Sequence, residues 1–94
     1  MRTIKLSTRF KRDYKRIQAG EHGKSIRTEL PELLNLLASD AALLARHRDH
    51  ALSGEWAGFR DCHVRPDLVL IYCKPDDATL QLARLGSHGE LFKK

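Results

Sequence analysis

The stretch that most constrains this chain is Leu68 to Cys73, LVLIYC, an almost continuously apolar run without a charge. Such a run suits a central strand covered on both faces. Arg65-Pro66 before it and Lys74-Pro75-Asp76-Asp77 after it carry turn chemistry. Phe59 to Val64 reads as the strand on one side, with Asp67 beginning the central one. Thr79 to Leu85 reads as the strand on the other side, its Leu80 and Leu82 alternating against Gln81. Turns this short join antiparallel neighbours.

The first half must then supply the cover. Arg2 to Leu6 alternates and reads as a short first strand at an edge. Ser7 or Thr8 caps a helix in which Phe10, Tyr14 and Ile17 form one apolar stripe. Lys11, Arg12, Lys15 and Arg16 occupy its other side, and Gly20 and Gly23 bracket its stop. A second helix spans about Lys24 to Ala38, with Ile26, Leu30, Leu33, Leu34 and Leu37 on one face. Pro31 either kinks that helix or begins a fresh one; a continuous helical hairpin disturbed there is expected. Ser39 to Ala51 reads as loop, with a turn of helix at Ala41 to Ala45. Gly54 and Gly58 make the segment around Trp56 tight. Ser87 caps a last short turn that carries His88, Leu91 and Phe92. The expected fold is α+β in the order β-α-α-β-β-β, two N-terminal helices packed on a mainly antiparallel sheet.

The 94 residues suffice for a single domain, 1–94. No apolar run approaches the ~20 residues that span a bilayer. The start, MRTIKLSTRF, lacks a secretory apolar stretch, so the cytoplasm is the expected location and no membrane is involved. If Arg65-Pro66 is the turn, Cys62 faces a residue near Val69 rather than Cys73, and no disulfide is expected. The net charge of +5 favours a polyanionic or acidic partner. Charge alone does not separate nucleic acid from an acidic protein.

Chemistry concentrates in RDHALSGEWAGFRDCHVRPDLVLIY and RLGSHGELF, which hold His50, His63 and His88. Histidine changes charge near neutral pH without special tuning. Arg84 stands on an otherwise apolar strand, where a charge needs a partner or an opening. No phosphate-cradling glycine loop, paired-cysteine metal motif or nucleophile elbow is present. His47 and His50 have no second ligand pair, so a structural metal is not expected, nor a cofactor. Histidine, arginine and aspartate without a nucleophile suit RNA cleavage, because RNA brings its own in the 2′-hydroxyl. The protein then needs a base, an acid and a cation for the phosphorane.

At these residues the sequence resembles the YafQ branch of the RelE/ParE toxin superfamily, the toxin half of bacterial type II toxin–antitoxin pairs. The resemblance is carried by RDHALSGEW, GFRDCHVRPDLVLIY and RLGSHGELF, and extends over essentially the whole chain. It implies a RelE-like fold and a ribosome-dependent, metal-independent mRNA interferase that cuts mRNA in the decoding site. On this resemblance His50, His63, Asp67 and His88 share proton transfer and orientation, Arg84 steadies the phosphate and Phe92 helps hold the substrate. Arg60, Lys11, Arg12, Lys15 and Arg16 are the further candidate RNA contacts. Leu68 departs from the family, which often has tryptophan after the PD aspartate. The implied partners are the ribosome, mRNA and a cognate antitoxin, acidic, DNA-binding and DinJ/RelB-like, through which alone operator DNA is reached. Two other readings remain: a non-catalytic basic binding module, and a ParE-like toxin directed at gyrase. The histidine cluster counts against the second, because inhibition by binding needs no proton-transfer groups.

Overall fold

A computed structural model describes residues 1–92. Strand β1 (Thr3–Leu6) is followed by helices α1 (Thr8–Gln18) and α2 (Gly23–Ala38), and a 3-10 turn at Ala45–His47. A two-residue strand β2 (His50–Ala51) precedes a second 3-10 turn, Gly54–Trp56. Strands β3 (Arg60–Arg65), β4 (Leu68–Cys73) and β5 (Thr79–Gly86) lead to a last short helix, α3 (His88–Leu91). The sheet has five strands in the order β1-β5-β4-β3-β2, and only β1 with β5 is parallel. The expected α+β architecture is borne out, with LVLIYC at its centre.

Three local expectations are corrected. The helical turn falls at Ala45–His47 instead of Ala41 to Ala45, and His50 lies in the small strand β2 instead of a loop. Asp67 occupies the β3–β4 turn, and β4 starts at Leu68. Helix α2 runs through Pro31 without a break. Gly23 opens it for a steric reason: a Cβ there would come within 2.5 Å of the Gln18 carbonyl oxygen. Both cysteines are free, and Cys62 is paired across the ladder with Leu70.

The two faces of the sheet differ. Cys62, Val64, Leu68, Leu70, Tyr72, Leu80, Leu82 and Leu85 point to the helices, where Phe10, Ile17, Ile26, Leu30, Leu33 and Leu37 meet them in the main core. The other face carries a smaller apolar cluster of Val69, Ile71, Ala83 and Leu91, with Leu52, Trp56, Phe59 and Phe92 packed around them. Among the described residues only the short helix α3 lies against it, which leaves room there for polar side chains from β2 and β3. Among the described residues no helix is long and apolar enough to cross a membrane.

Candidate active site

Alternation along β3 builds the first part of the site. Cys62 and Val64 enter the core, so Asp61 and His63 stand on the opposite face. The pairing sets a row across the sheet: His50 lies opposite Asp61, and Asp61 opposite Ile71. His50 is exposed and His63 half-buried, whereas Asp61 is 1% exposed.

Asp61 is the residue the sequence reading missed. His50 Nδ1 stands 2.9 Å from Asp61 Oδ1, yet Oδ1 makes no well-aligned hydrogen bond. The proximity is electrostatic, and the aligned partner of Nδ1 is the Arg48 carbonyl oxygen at 3.1 Å. With two acceptors beside Nδ1, these contacts favour the tautomer that carries its hydrogen there. Burial raises the Asp61 carboxyl above the usual aspartate range, partly offset by the nearby His50, His63 and His88. A signal existed in the sequence: Asp61 and His63, two apart on a strand, share a face.

α3 supplies His88 and Phe92. Ser87 caps it, its Oγ accepting from the Glu90 N–H at 3.2 Å while Glu90 Oε1 accepts from the Ser87 N–H at 3.0 Å. His88 opens the helix and Phe92 closes it, their rings 4.6 Å apart. Leu91 anchors this turn on Val69, Ile71 and Ala83. Trp56 and Phe59, edge to face at 5.2 Å, pack on the same apolar patch.

Arg84 has the partner its setting demands. The β4–β5 register slips between Ile71 and Tyr72, so Ala83 is an extra residue in β5. Arg84 then donates from Nε and Nη2 to the two carboxylate oxygens of Asp13 on α1, at 2.8 and 2.9 Å. Burial alone would raise the Asp13 carboxyl, but Arg84, the Leu85 N–H and Arg16 outweigh it and hold it below the ordinary value. Arg84 lines a cleft of about 470 Å³ with Arg9, Arg16, Trp56 and Glu90.

The remaining candidates are distributed elsewhere. Asp67 is exposed on its turn and pairs with His22 Nε2 at 3.0 Å. Together with Glu21 these two are the one trio of metal-ligating type among the described residues. Arg60 is committed to Asp49 through Nε and Nη2, at 3.3 and 3.0 Å, and Asp49 also accepts from the Tyr72 hydroxyl. That knot ties the residue beside His50 to β3 and β4. The basic residues of α1 divide: Arg16 turns to Asp13 and Glu90, whereas Lys11, Arg12 and Lys15 rim an apolar groove on the other flank.

The family described as the bacterial toxin of type II toxin-antitoxin systems, YafQ, matches residues 2–93. The mRNA interferase toxin YafQ of Escherichia coli K12 is 38% identical over 92 residues, covering 97% of this chain and 96% of that protein. The crystal structure of YafQ from E. coli BL21(DE3) superposes with a TM-score of 0.83 at 35% identity, covering 98% of this chain and 99% of that one. The toxin in the E. coli DinJ–YafQ complex superposes with a TM-score of 0.78 at 37% identity, over 98% and 99% of the two chains. The chain therefore belongs to the YafQ family of type II toxin–antitoxin toxins.

Proposed function

We propose that this toxin is a ribosome-dependent endoribonuclease that cuts mRNA in the decoding site and so stops translation. The observation that carries this reading is the buried Asp61 amid His50, His63 and His88 on the open face of the sheet. A carboxylate hidden among proton carriers is costly to the fold and suits acid–base work. The relatives named mRNA interferase toxin support it.

The arrangement supports the following chemistry. His50, its Nδ1 held by the Arg48 carbonyl and 2.9 Å from Asp61 Oδ1, takes the 2′-hydroxyl proton at Nε2. The 2′ oxygen bonds to phosphorus, and the bond from phosphorus to the 5′ oxygen breaks. His88 gives that oxygen its proton, leaving a 2′,3′-cyclic phosphate and a 5′-hydroxyl. Arg84 balances the charge that develops on the phosphorane, and His63 offers a further hydrogen-bonding ring from the sheet. Phe92 offers a ring on which a base can stack. Asp67, on the β3–β4 turn with His22, orients RNA arriving from that side. None of these steps draws on a metal held by the toxin itself.

The test is mRNA cleavage on programmed ribosomes, mapped by primer extension, for the wild type and His88→Ala. Cuts at defined codons that need the ribosome and vanish in the variant are expected. A folded, ribosome-bound wild type that cuts nothing overturns the reading and leaves a binding module.

The partner is a cognate antitoxin, acidic and DNA-binding, which alone brings the toxin to operator DNA. A structure of DinJ with YafQ exists for the relative. Here the apolar groove lined by Leu6, Phe10, Tyr14, Leu30 and Leu34 lies next to the outer edge of β1, where Ile4 and Leu6 are exposed. Its rim of Lys11, Arg12 and Lys15 fits an acidic segment with apolar anchors. Leu6→Asp is expected to weaken antitoxin binding in calorimetry, and unchanged affinity places the interface elsewhere.

A further inference from the structure

Asp13 is a buried carboxylate with no part in the chemistry above. It is 2% exposed in the middle of α1, and it accepts four hydrogen bonds. Arg84 supplies two of them, the Leu85 backbone N–H a third at 3.0 Å and Arg16 Nη1 a fourth at 3.1 Å. The reason lies in the sheet. β1 pairs with β5 only from Thr79 to Leu82, and Ser7 then takes the next carbonyl, its Oγ donating to Ala83 at 2.7 Å. Beyond that point Asp13 receives the outward N–H of Leu85 in place of a neighbouring strand.

The same carboxylate decides which side of Arg84 is free. A guanidinium has five N–H donors in a planar fork. Asp13 takes Nε and one hydrogen of Nη2. The end made by Nη1 and the second Nη2 hydrogen has no partner among the described residues, and Arg84 lines the cleft it shares with Arg9, Arg16 and Trp56. That end is the pair whose spacing matches two oxygens of a phosphate. The extra residue at Ala83 places Arg84 at this edge, so bulge and carboxylate act together.

We infer that Asp13 is a positioning residue for RNA cleavage: it grips one side of the Arg84 guanidinium so that the Nη1–Nη2 end is presented to the scissile phosphate. The inference rests on the endoribonuclease reading. A carboxylate that only sealed the sheet edge would have the same bonds, so the experiment must separate holding the fold from aiming Arg84.

A double-mutant cycle does this. Single-turnover cleavage on programmed ribosomes is measured for the wild type, Asp13→Asn, Arg84→Ala and the double variant, with urea midpoints for all. Asparagine keeps the volume and one oxygen acceptor. Asp13→Asn is expected to lower the maximal rate about 10²-fold with little change in the half-saturating ribosome concentration, as for a small misplacement of a reacting group. The double variant is expected to cleave no more slowly than Arg84→Ala, because Asp13 acts only through Arg84. Independent, multiplying losses, or wild-type cleavage by a folded Asp13→Asn, overturn the inference while leaving the endoribonuclease reading intact. Should Asp13→Asn fail to fold, Asp13→Glu serves in the same cycle. A second readout needs no turnover: the side-chain nitrogen resonances of Arg84, followed while a short RNA with 2′-deoxy sugars is added. The Nη signals are expected to shift and the Nε signal to stay. No shift, or the same shift in the Asp13 variant, overturns the inference even if the wild type cuts nothing.

Discussion

Asp13 and Asp61 are almost equally hidden, at 2% and 1% exposure, yet they answer burial in opposite ways. Asp13, on the helix flank of β5, is surrounded by donors and lies below the ordinary aspartate value. Asp61, on the open face, has His50 beside it but an oxygen without a hydrogen-bond partner, and lies above that value. Burial thus sets the cost of a charge, and the donors around it decide the sign of the shift. A carboxylate the fold has fully satisfied is holding something in place. One the fold leaves partly unsatisfied is a candidate for chemistry.

Neutralising each acid separates the two roles. Asp61→Asn is expected to reduce cleavage by about 10²–10⁴-fold, the worth of a positioned acid–base group, while the urea midpoint stays level or rises. A fall in both would make Asp61 a structural residue like Asp13. Asp13→Ala is expected to cost about 3–5 kcal/mol of stability, the usual penalty for stranding a buried partner, here the Arg84 cation and the Leu85 N–H. A loss under about 1 kcal/mol, in the range of an exposed ion pair, would show that water replaces Asp13 easily.

pH sharpens the contrast further. Asp13, with its folded value lowered, contributes stability that is present above the unfolded value and lost as pH falls through the folded one. Asp61, with its folded value raised, contributes stability that is full below the unfolded value and lost as pH rises through the folded one. Thermal midpoints across the acid range should therefore respond oppositely. Asp13→Asn removes part of the acid-induced loss, and Asp61→Asn gives a protein relatively more stable on the neutral side. Parallel profiles for the two variants would contradict the opposite shifts.

Much of this arrangement was legible in the sequence, and the failures have physical causes. LVLIYC announced its central strand because a run without polar residues has no wet face. Ser7 and Ser87 announced their helices because a hydroxyl before an apolar stripe satisfies orphan N–H groups. Arg84 announced a need for a partner but not which one, since Asp13 lies 71 residues away. Asp13 carried a weak sign of its own: an acid on the buried stripe of Phe10 and Ile17 in an otherwise basic helix. β2 was illegible because two residues have no periodicity, and its pairing with β3 alone makes it a strand. Arg60 read as a candidate RNA contact because nothing local shows that Asp49, itself bonded by Tyr72, already holds it.

The smallest expected effect tests how much order α3 itself needs. Four residues cannot form a stable helix alone, so this turn depends on Leu91 below and the Ser87–Glu90 box at its start. The Glu90 carboxyl lies below the ordinary value chiefly through the Ser87 N–H, so the box is charged at neutral pH. Ser87→Ala removes one of the two reciprocal bonds and is expected to cost about 1 kcal/mol, within the usual range for a lost cap. Because α3 sits at the margin of the second apolar cluster, the loss should appear as local fraying, with little movement of the global midpoint. Faster amide exchange at Glu90 and Leu91, and a several-fold slower cleavage as His88 loses its fixed place, are the expected results. Exchange that stays slow would mean that Leu91 alone holds the turn, and that His88 needs no cap to reach the open face.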